Sequence, residues 1–391
     1  MRFQENAMNK TILAIVLFFV VIPTTFASTE YVIANGNDLN SNRLFVYELD
    51  TTVGTLHQVA ILETGGDGLG TVFPTYNFSV SQQAVSTNAT CVFALDARSE
   101  DIASFSKSTN YGLVGRYADS SLNPTLGGSL ALTPDGKFLY ATYISSQNIG
   151  AWAVNSDCSL SLIASYLPDD LSGLGSLKVT PNGSSLIVCI AGATVSAEMY
   201  SINSSSGALT DLGVLGGFCG ENETSCLPQG LDITKDGRFA IFAIPVQGAG
   251  SFPYAAIAHI TSQGLANPSF WSLKNSSLLP YPASVFLSAS AFAGSGDLFF
   301  GMSGNGRPNG VVTTTFNENP LSISVTNSTV ISPPQEAGNI AITGQWAVIA
   351  EYPSQIGVFL INPDGSLTEV STTMLNAEPG IISLTVFPVT R

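Results

Sequence analysis

The chain has 391 residues, 45% of them hydrophobic and only 10% charged, with a formal charge of −15 from 13 Lys+Arg against 28 Asp+Glu. So large an acidic excess excludes nucleic acid, whose phosphates need clustered cations, and disfavours anionic membrane surfaces. It leaves a small neutral or cationic molecule, or a protein, as the expected partner.

At the N-terminus, Lys10 precedes an apolar run from Ile12 to Ile22, followed by Pro23 and the small-residue end Thr25-Phe26-Ala27. A positive head, a short apolar stretch and such an ending predict a signal peptide over residues 1–27. The run is too short for a membrane span, which needs ~20 apolar residues. Residues 28–391 are therefore expected as one secreted, monomeric domain, extracellular or periplasmic, with no stable membrane span.

A single unit then recurs. Its clearest copies start at Gly127 (GGSLALTPDGKFLYATY), Leu174 (LGSLKVTPNGSSLIVCI) and Gln229 (QGLDITKDGRFAIFAI). Each has a short apolar strand, a tight turn and a second apolar strand; a third and a fourth strand follow. Four short strands repeated every roughly 40–55 residues predict an all-β, seven-bladed β-propeller. In chain order, residues 31–36, 43–49 and 56–63 give three strands of blade one. Blades two to seven cover 74–118, 127–167, 173–216, 227–274, 281–326 and 336–375. Residues 379–388 read as an inner strand with no blade behind it, the one that blade one lacks. The C-terminal strand is thus expected to close the ring in the first blade and remove an open edge.

The inner strands share an i, i+2 alternation: Phe78/Val80, Leu130/Leu132, Leu177/Val179, Leu231/Ile233, Val285/Leu287, Ile340/Ile342 and Ile382/Leu384. Period two puts each pair on one strand face. Most residues between them are small, but Lys178 and Asp232 occupy that place on consecutive blades and are expected to meet near the axis. Cys219 and Cys226 bracket a short loop and are expected to form a disulfide. Cys91 and Cys158 lie on neighbouring blades, and a bridge between them stays open. Cys189 reads as a packed thiol within a buried strand, and no Cys/His spacing suggests zinc.

Thr133-Pro134-Asp135-Gly136-Lys137-Phe138-Leu139-Tyr140, Asp236-Gly237-Arg238-Phe239 and Ile361-Asn362-Pro363-Asp364-Gly365-Ser366-Leu367 resemble the repeats of seven-bladed lactonase-like propellers. That group includes 6-phosphogluconolactonase-type enzymes, carboxymuconate-cyclising enzymes and exported YVTN-type propellers. The resemblance covers nearly all of the mature chain and implies a carboxylic ester hydrolase whose His, Arg and Glu side chains surround the central cleft. Here His57 falls on an outer strand and His259 on a third strand, away from the axis. No catalytic residue is carried over.

The channel mouth is built by connections between blades and by turns between second and third strands. On this sequence those segments hold Asp38, Asp67, Asp119, Asp169, Asp170, Glu221, Glu223, Glu336 and Glu378, with Arg307 among few cations. Asp67, Asp119, Asp170, Glu223, Arg307 and Glu336, with Lys178 and Asp232, are the candidate ligand-binding residues. Converging carboxylates could hold Ca2+ through hard oxygen ligands, or form a solvated acidic rim with no cofactor. Three readings stand open: a lactone (sugar-acid ester) hydrolase acting at the channel mouth, a non-catalytic ligand- or protein-binding propeller, and a metal-assisted hydrolase.

Overall fold

The computed structural model describes residues 30–70, 84–118, 127–143, 146–169, 174–190, 196–218, 230–244, 254–273, 286–292, 297–303, 309–331, 336–352, 354–377 and 383–388. The signal-peptide reading, Cys219 and Cys226 lie outside them. Among the described residues no helix is long and apolar enough to cross a membrane.

The chain is an all-β propeller of four-stranded antiparallel blades. From the axis outward, the first blade holds Ser383–Pro388, Glu30–Asn35, Arg43–Asp50 and Thr55–Glu63. The second holds Val85–Thr87, Cys91–Asp96, Asp101–Ser106 and Gly112–Ala118. The third is Gly127–Leu132, Phe138–Tyr143, Asn148–Val154 and Leu160–Tyr166. The fourth is Leu174–Val179, Ser185–Ile190, Ser196–Ile202 and Leu209–Gly216. The fifth is Gly230–Ile233, Phe239–Ile244, Tyr254–Thr261 and Gly264–Ser272. Phe286–Phe292, Asp297–Ser303, Asn309–Glu318 and Leu321–Ile331 make the next sheet. Glu336–Thr343, Trp346–Tyr352, Gln355–Ile361 and Leu367–Met374 make the last.

Burial grades from axis to rim as side-chain chemistry dictates. Second strands such as Cys91–Asp96, Phe138–Tyr143 and Phe239–Ile244 are buried at every position, because both of their faces meet a neighbouring blade. Outer strands such as Leu367–Met374 are mostly exposed and Thr/Glu-rich. Apolar packing runs between consecutive blades. Tyr140 and Ile149 share a core with Leu177, Val188 and Tyr200, and Val32 and Phe45 share one with Val348 and Ile356 across the first and last blades. Burial of this apolar surface is the main stabilising term.

The inner-to-second turns are built alike. In Thr133–Phe138 the Thr133 hydroxyl donates to Asp135 Oδ1 at 2.7 Å and accepts the Phe138 N–H at 3.0 Å. Thr180 with Asn182 and Thr234 with Asp236 repeat the donated bond. Gly136, Gly183 and Gly237 take φ of 72°, 72° and 74°, which a β-carbon would strain. These turns and the third-to-outer turns lie on one face. The second-to-third turns and the blade-to-blade connections lie on the other, the mouth face.

Three inner-strand registers differ from the sequence expectation. In blade two the strand is Val85–Thr87, and Phe78 and Val80 lie outside the described residues. In the sixth sheet Phe292 faces Leu298 as Leu132 faces Leu139, so Phe292, not Leu287, corresponds to Leu132. In the C-terminal strand Val386 pairs with Val32 and, with Leu384, packs toward the last blade, so the pattern sits two residues later than Ile382/Leu384. Each of these blades lacks the Pro-Asp-Gly or Asn-Gly turn that fixes the register elsewhere.

Cys91 and Cys158, the pairing left open by sequence, form a disulfide across blades two and three. Both residues are buried. Cys189 is a buried free cysteine, and burial pushes its thiol pKa up.

Candidate active site

Polar side chains converge where the last, first and second blades meet the mouth face. The mouth-facing ends of their second strands carry Glu351, Asn35 and Asp96, each at most 2% exposed. The inner strands are tied there by side chains rather than by ladder bonds. Asn339 Oδ1 accepts the Leu384 N–H at 3.4 Å, and Ser383 Oγ accepts the Ala84 N–H at 2.8 Å. Asn35 Nδ2 donates to the Leu95 carbonyl at 3.2 Å, and its Oδ1 accepts the Asn37 N–H at 2.9 Å.

Asp96 is the centre of this network. Asn42 Nδ2 donates to its Oδ1 at 2.7 Å. Its partner across the strand pair is Asp101, and the two carboxyl groups lie within hydrogen-bonding reach. Asp96 Oδ2 and Asp101 Oδ1 are buried without a hydrogen-bond partner. Burial, reinforced by the Asp101 charge and only partly offset by the Asn42 bond, pushes the Asp96 pKa up to about 8. Arg116 holds the other oxygen of Asp101. Gly66 lies so close to Asp96 Oδ2 that any side chain there would strike it.

Glu351 repeats the arrangement on the last blade. Gln355 Nε2 donates to its Oε2 at 2.6 Å, Oε1 has no donor, and Gly357 packs against it. Burial raises its pKa to about 7 against the opposing effect of the Gln355 bond. On blade four, Glu198 accepts the Tyr200 hydroxyl at 2.6 Å and the Asp169 N–H at 3.1 Å. Burial likewise pushes its pKa up to about 7. Carboxylate oxygens of Asp169, Glu198 and Asp211 lie within 4.8 Å of one another, the geometry of a hard-oxygen cation site.

The sequence candidates are distributed as follows. Asp67 is on the mouth face, where its Oδ1 accepts the Ser41 N–H at 3.2 Å and its own N–H donates to Ser99 Oγ at 3.0 Å. Glu336 begins the inner strand of the last blade rather than lying in a loop. Asp119, Asp170, Glu223 and Arg307 lie outside the described residues. Lys178 and Asp232 meet as expected, with Nζ 2.5 Å from Oδ1. Asp38 is 2% exposed and accepts from Arg43 Nε at 3.0 Å and Nη2 at 2.9 Å; it is a structural ion pair rather than a ligand group. His57 sits on the outer strand of blade one, and His259 on the third strand of blade five, its ring 4.7 Å from that of Phe239.

Sequence reasoning missed Asp96, Glu198 and Glu351. A lone acidic residue ending an apolar strand (Val92-Phe93-Ala94-Leu95-Asp96, Val348-Ile349-Ala350-Glu351) was the available signal.

No family model and no curated protein matches the sequence. The fold is similar to that of a candidate 6-phosphogluconolactonase from Bacteroides fragilis, at TM-score 0.67 and 14% identity over 93% of this chain and 99% of that one. It is also similar to the periplasmic gluconolactonase of Pseudomonas aeruginosa, at TM-score 0.65 and 14% identity over 92% and 99% of the two chains. A Lactobacillus plantarum protein matches at TM-score 0.65 and 15% identity over 91% and 99%. At these identities the likeness establishes a shared lactonase-like propeller fold.

Proposed function

We propose that the chain is an exported lactone hydrolase: a seven-bladed ring, closed by its C-terminal strand and secreted by its leader, that opens sugar-acid lactones at the channel mouth. The pairing of Ser383–Pro388 with Glu30–Asn35 supports the closure, as does the core shared by the first and last blades. The leader sequence supports export.

The observation that carries the reading is the set of buried mouth-face carboxyl groups, Asp96 and Glu351 above all, held near neutrality on a fold shared with a gluconolactonase. Groups poised near the working pH are what proton transfer in ester hydrolysis requires. In the reaction, water adds to the lactone carbonyl carbon, the ring C–O bond breaks, and the ring oxygen takes up a proton. The product is a hydroxy acid that releases a proton to solvent. Asp96 and Glu351 are too buried to touch substrate. They act as positioning residues, and the contacting groups come from the connections holding Asp67, Asp119, Asp170, Glu223, Arg307 and Glu336.

A metal-assisted hydrolase is the second reading, favoured by the Asp169–Glu198–Asp211 oxygens. A panel of lactones, assayed with and without chelator above the spontaneous rate, tests both. Hydrolysis that survives chelation supports the first reading, and loss restored by Ca2+ supports the second. Hydrolysis of nothing in the panel leaves a binding propeller.

A further inference from the structure

We infer that the bridge between Cys91 and Cys158 is a redox latch: the joint of blades two and three stays loose while both thiols are reduced and is locked when they are oxidised. Its action does not depend on what the mouth binds.

Four joints between blades are built alike on the face opposite the mouth. In each, the third-to-outer turn holds one residue in the left-handed region: Gly54, Cys158, Gly207 and Gly365, with φ of 71°, 69°, 71° and 78°. A hydroxyl of the preceding blade binds that residue's carbonyl. Ser104 donates to Cys158 at 2.5 Å, Tyr140 to Gly207 at 2.9 Å, Thr313 to Gly365 at 2.7 Å and Ser371 to Gly54 at 2.6 Å. Cys158 thus stands where the other three turns have glycine. Its β-carbon strains a conformation that glycine adopts freely.

The contact made across the joint explains the exchange. Gly54 lies against the ring of Trp346 and Gly207 against that of Phe138, so closely that a β-carbon on either glycine would strike the ring. Trp346 and Phe138 each open the second strand of the preceding blade. Cys91 opens the second strand of blade two, and its sulfur is bonded to Cys158. Where those two joints seat an aromatic ring on a glycine, this one has a covalent bond. With the bond broken, it keeps a strained turn residue and two short thiols, and has neither ring nor bridge to hold it.

Closing the latch takes two protons and two electrons from the thiols and passes them to a disulfide oxidant, which is itself reduced to thiols. A reducing compartment keeps the latch open and an oxidising one closes it.

The test refolds the chain from Ser28 to Arg391 either in excess reductant or in a glutathione redox buffer, with thiol titration to verify each state, and compares amide hydrogen exchange. The reduced chain should exchange at least about tenfold faster in Cys91–Asp96 and Phe138–Tyr143. Phe239–Ile244 of blade five should be unchanged. The variant Cys91→Ala/Cys158→Ala should exchange like the reduced chain whether or not reductant is present. Equal protection in the two wild-type states overturns the inference. So does a response of the variant to reductant, which would place the sensitivity in other cysteines. Loss of protection throughout the reduced chain overturns it too, because the bridge would then be a condition of the whole fold rather than a latch at one joint.

Discussion

The mouth-facing ends of the second strands differ between two arcs of the ring. In blades three, four and five they are Tyr143, Ile190 and Ile244, all fully buried and none of them ionised at neutral pH. In the last, first and second blades they are Glu351, Asn35 and Asp96, equally buried but polar or ionisable. The first arc is two aliphatic side chains and a tyrosine ring, bulk that packing selects. The second carries buried carboxyl oxygens without a hydrogen-bond donor, whose burial costs free energy that apolar residues would have spared. Blade four buries a carboxyl too, Glu198 on its third strand. Among the described residues, though, only the second arc places one at the mouth-facing end of a second strand, and that placement marks where the fold has yielded to function.

The polar arc also holds the proposed ring closure, where the C-terminal strand pairs with Glu30–Asn35, so that pairing should be the most damaging thing to break. Removing residues 379–391 deletes a strand paired at six positions with Glu30–Asn35. It also removes the Phe387 ring that stacks on Tyr31 at 5.5 Å and lies 3.5 Å beneath Lys107 Nζ. The exposed edge should leave a protein that aggregates or melts more than about 10 °C lower, since a loss of each kcal/mol moves the melting point by a few degrees. A truncated chain melting like the full one in calorimetry would show that the ring does not close this way.

Where the two arcs join, Cys91 and Cys158 tie blade two to blade three. Replacing both with Ala should cost about 2–4 kcal/mol in denaturant unfolding. Unchanged stability would mean that packing alone holds the arcs together.

The polar arc should also set how stability depends on pH. Asp96 titrates near 8 in the fold and near 3.8 unfolded, so the folded chain binds more protons in between. Its stabilising contribution is complete below about pH 4 and declines as pH rises toward 8, by up to about 1.4 kcal/mol per pH unit from this group. Glu351 and Glu198 add to the decline up to about pH 7. Asp96→Asn mimics the protonated acid: its carbonyl can accept from Asn42 while its amide donates to Asp101. The variant should therefore melt at least as high as the wild type at pH 8 and show a shallower pH slope. A steeper slope, or strong destabilisation at pH 8, would mean that Asp96 is ionised in the fold.

How much of this the sequence revealed follows from the reach of each signal. The blade repeat, the Thr-x-Asp/Asn-Gly turns and the meeting of Lys178 with Asp232 are local or exact-repeat features, and a single chain displays them. Of the blades without that turn motif, the last kept its inner-strand register and the first, second and sixth did not. Asp96 and Asp101 carry no motif. Their setting depends on Gly66 packing against Asp96 and on a bond from Asn42, 54 residues away in sequence, and only the folded chain brings these together. The bridge from Cys91 to Cys158 spans 67 residues and likewise needed the blade geometry.

On the apolar arc, Lys178 and Asp232 are the exception, an ion pair placed between blades four and five. Lys178→Met alone should cost about 1–2 kcal/mol, discounted for the 30% exposure of the lysine side chain, because it leaves Asp232 without its counter-charge. Replacing both with apolar residues should recover most of that loss. If the double variant were the less stable of the two in urea titration, the pair would be contributing more than mutual neutralisation.

The smallest effect should come from the residues that a family comparison would suspect first. His57 lies in an exposed outer strand, where its Nε2 is 3.5 Å from the Thr55 hydroxyl. His259 packs beside Phe239 on a third strand. Three strands separate His57 from the axis and two separate His259, so neither reaches a substrate seated over the polar arc. The double variant His57→Gln/His259→Gln should keep kcat/KM for any hydrolysed lactone within about twofold, well under the 100-fold or greater loss that removing a general base brings. Loss of the Phe239 contact should lower stability by no more than about 1 kcal/mol. A loss of activity without a matching loss of stability would move the site from the mouth to the blade edge and overturn the contrast between the arcs.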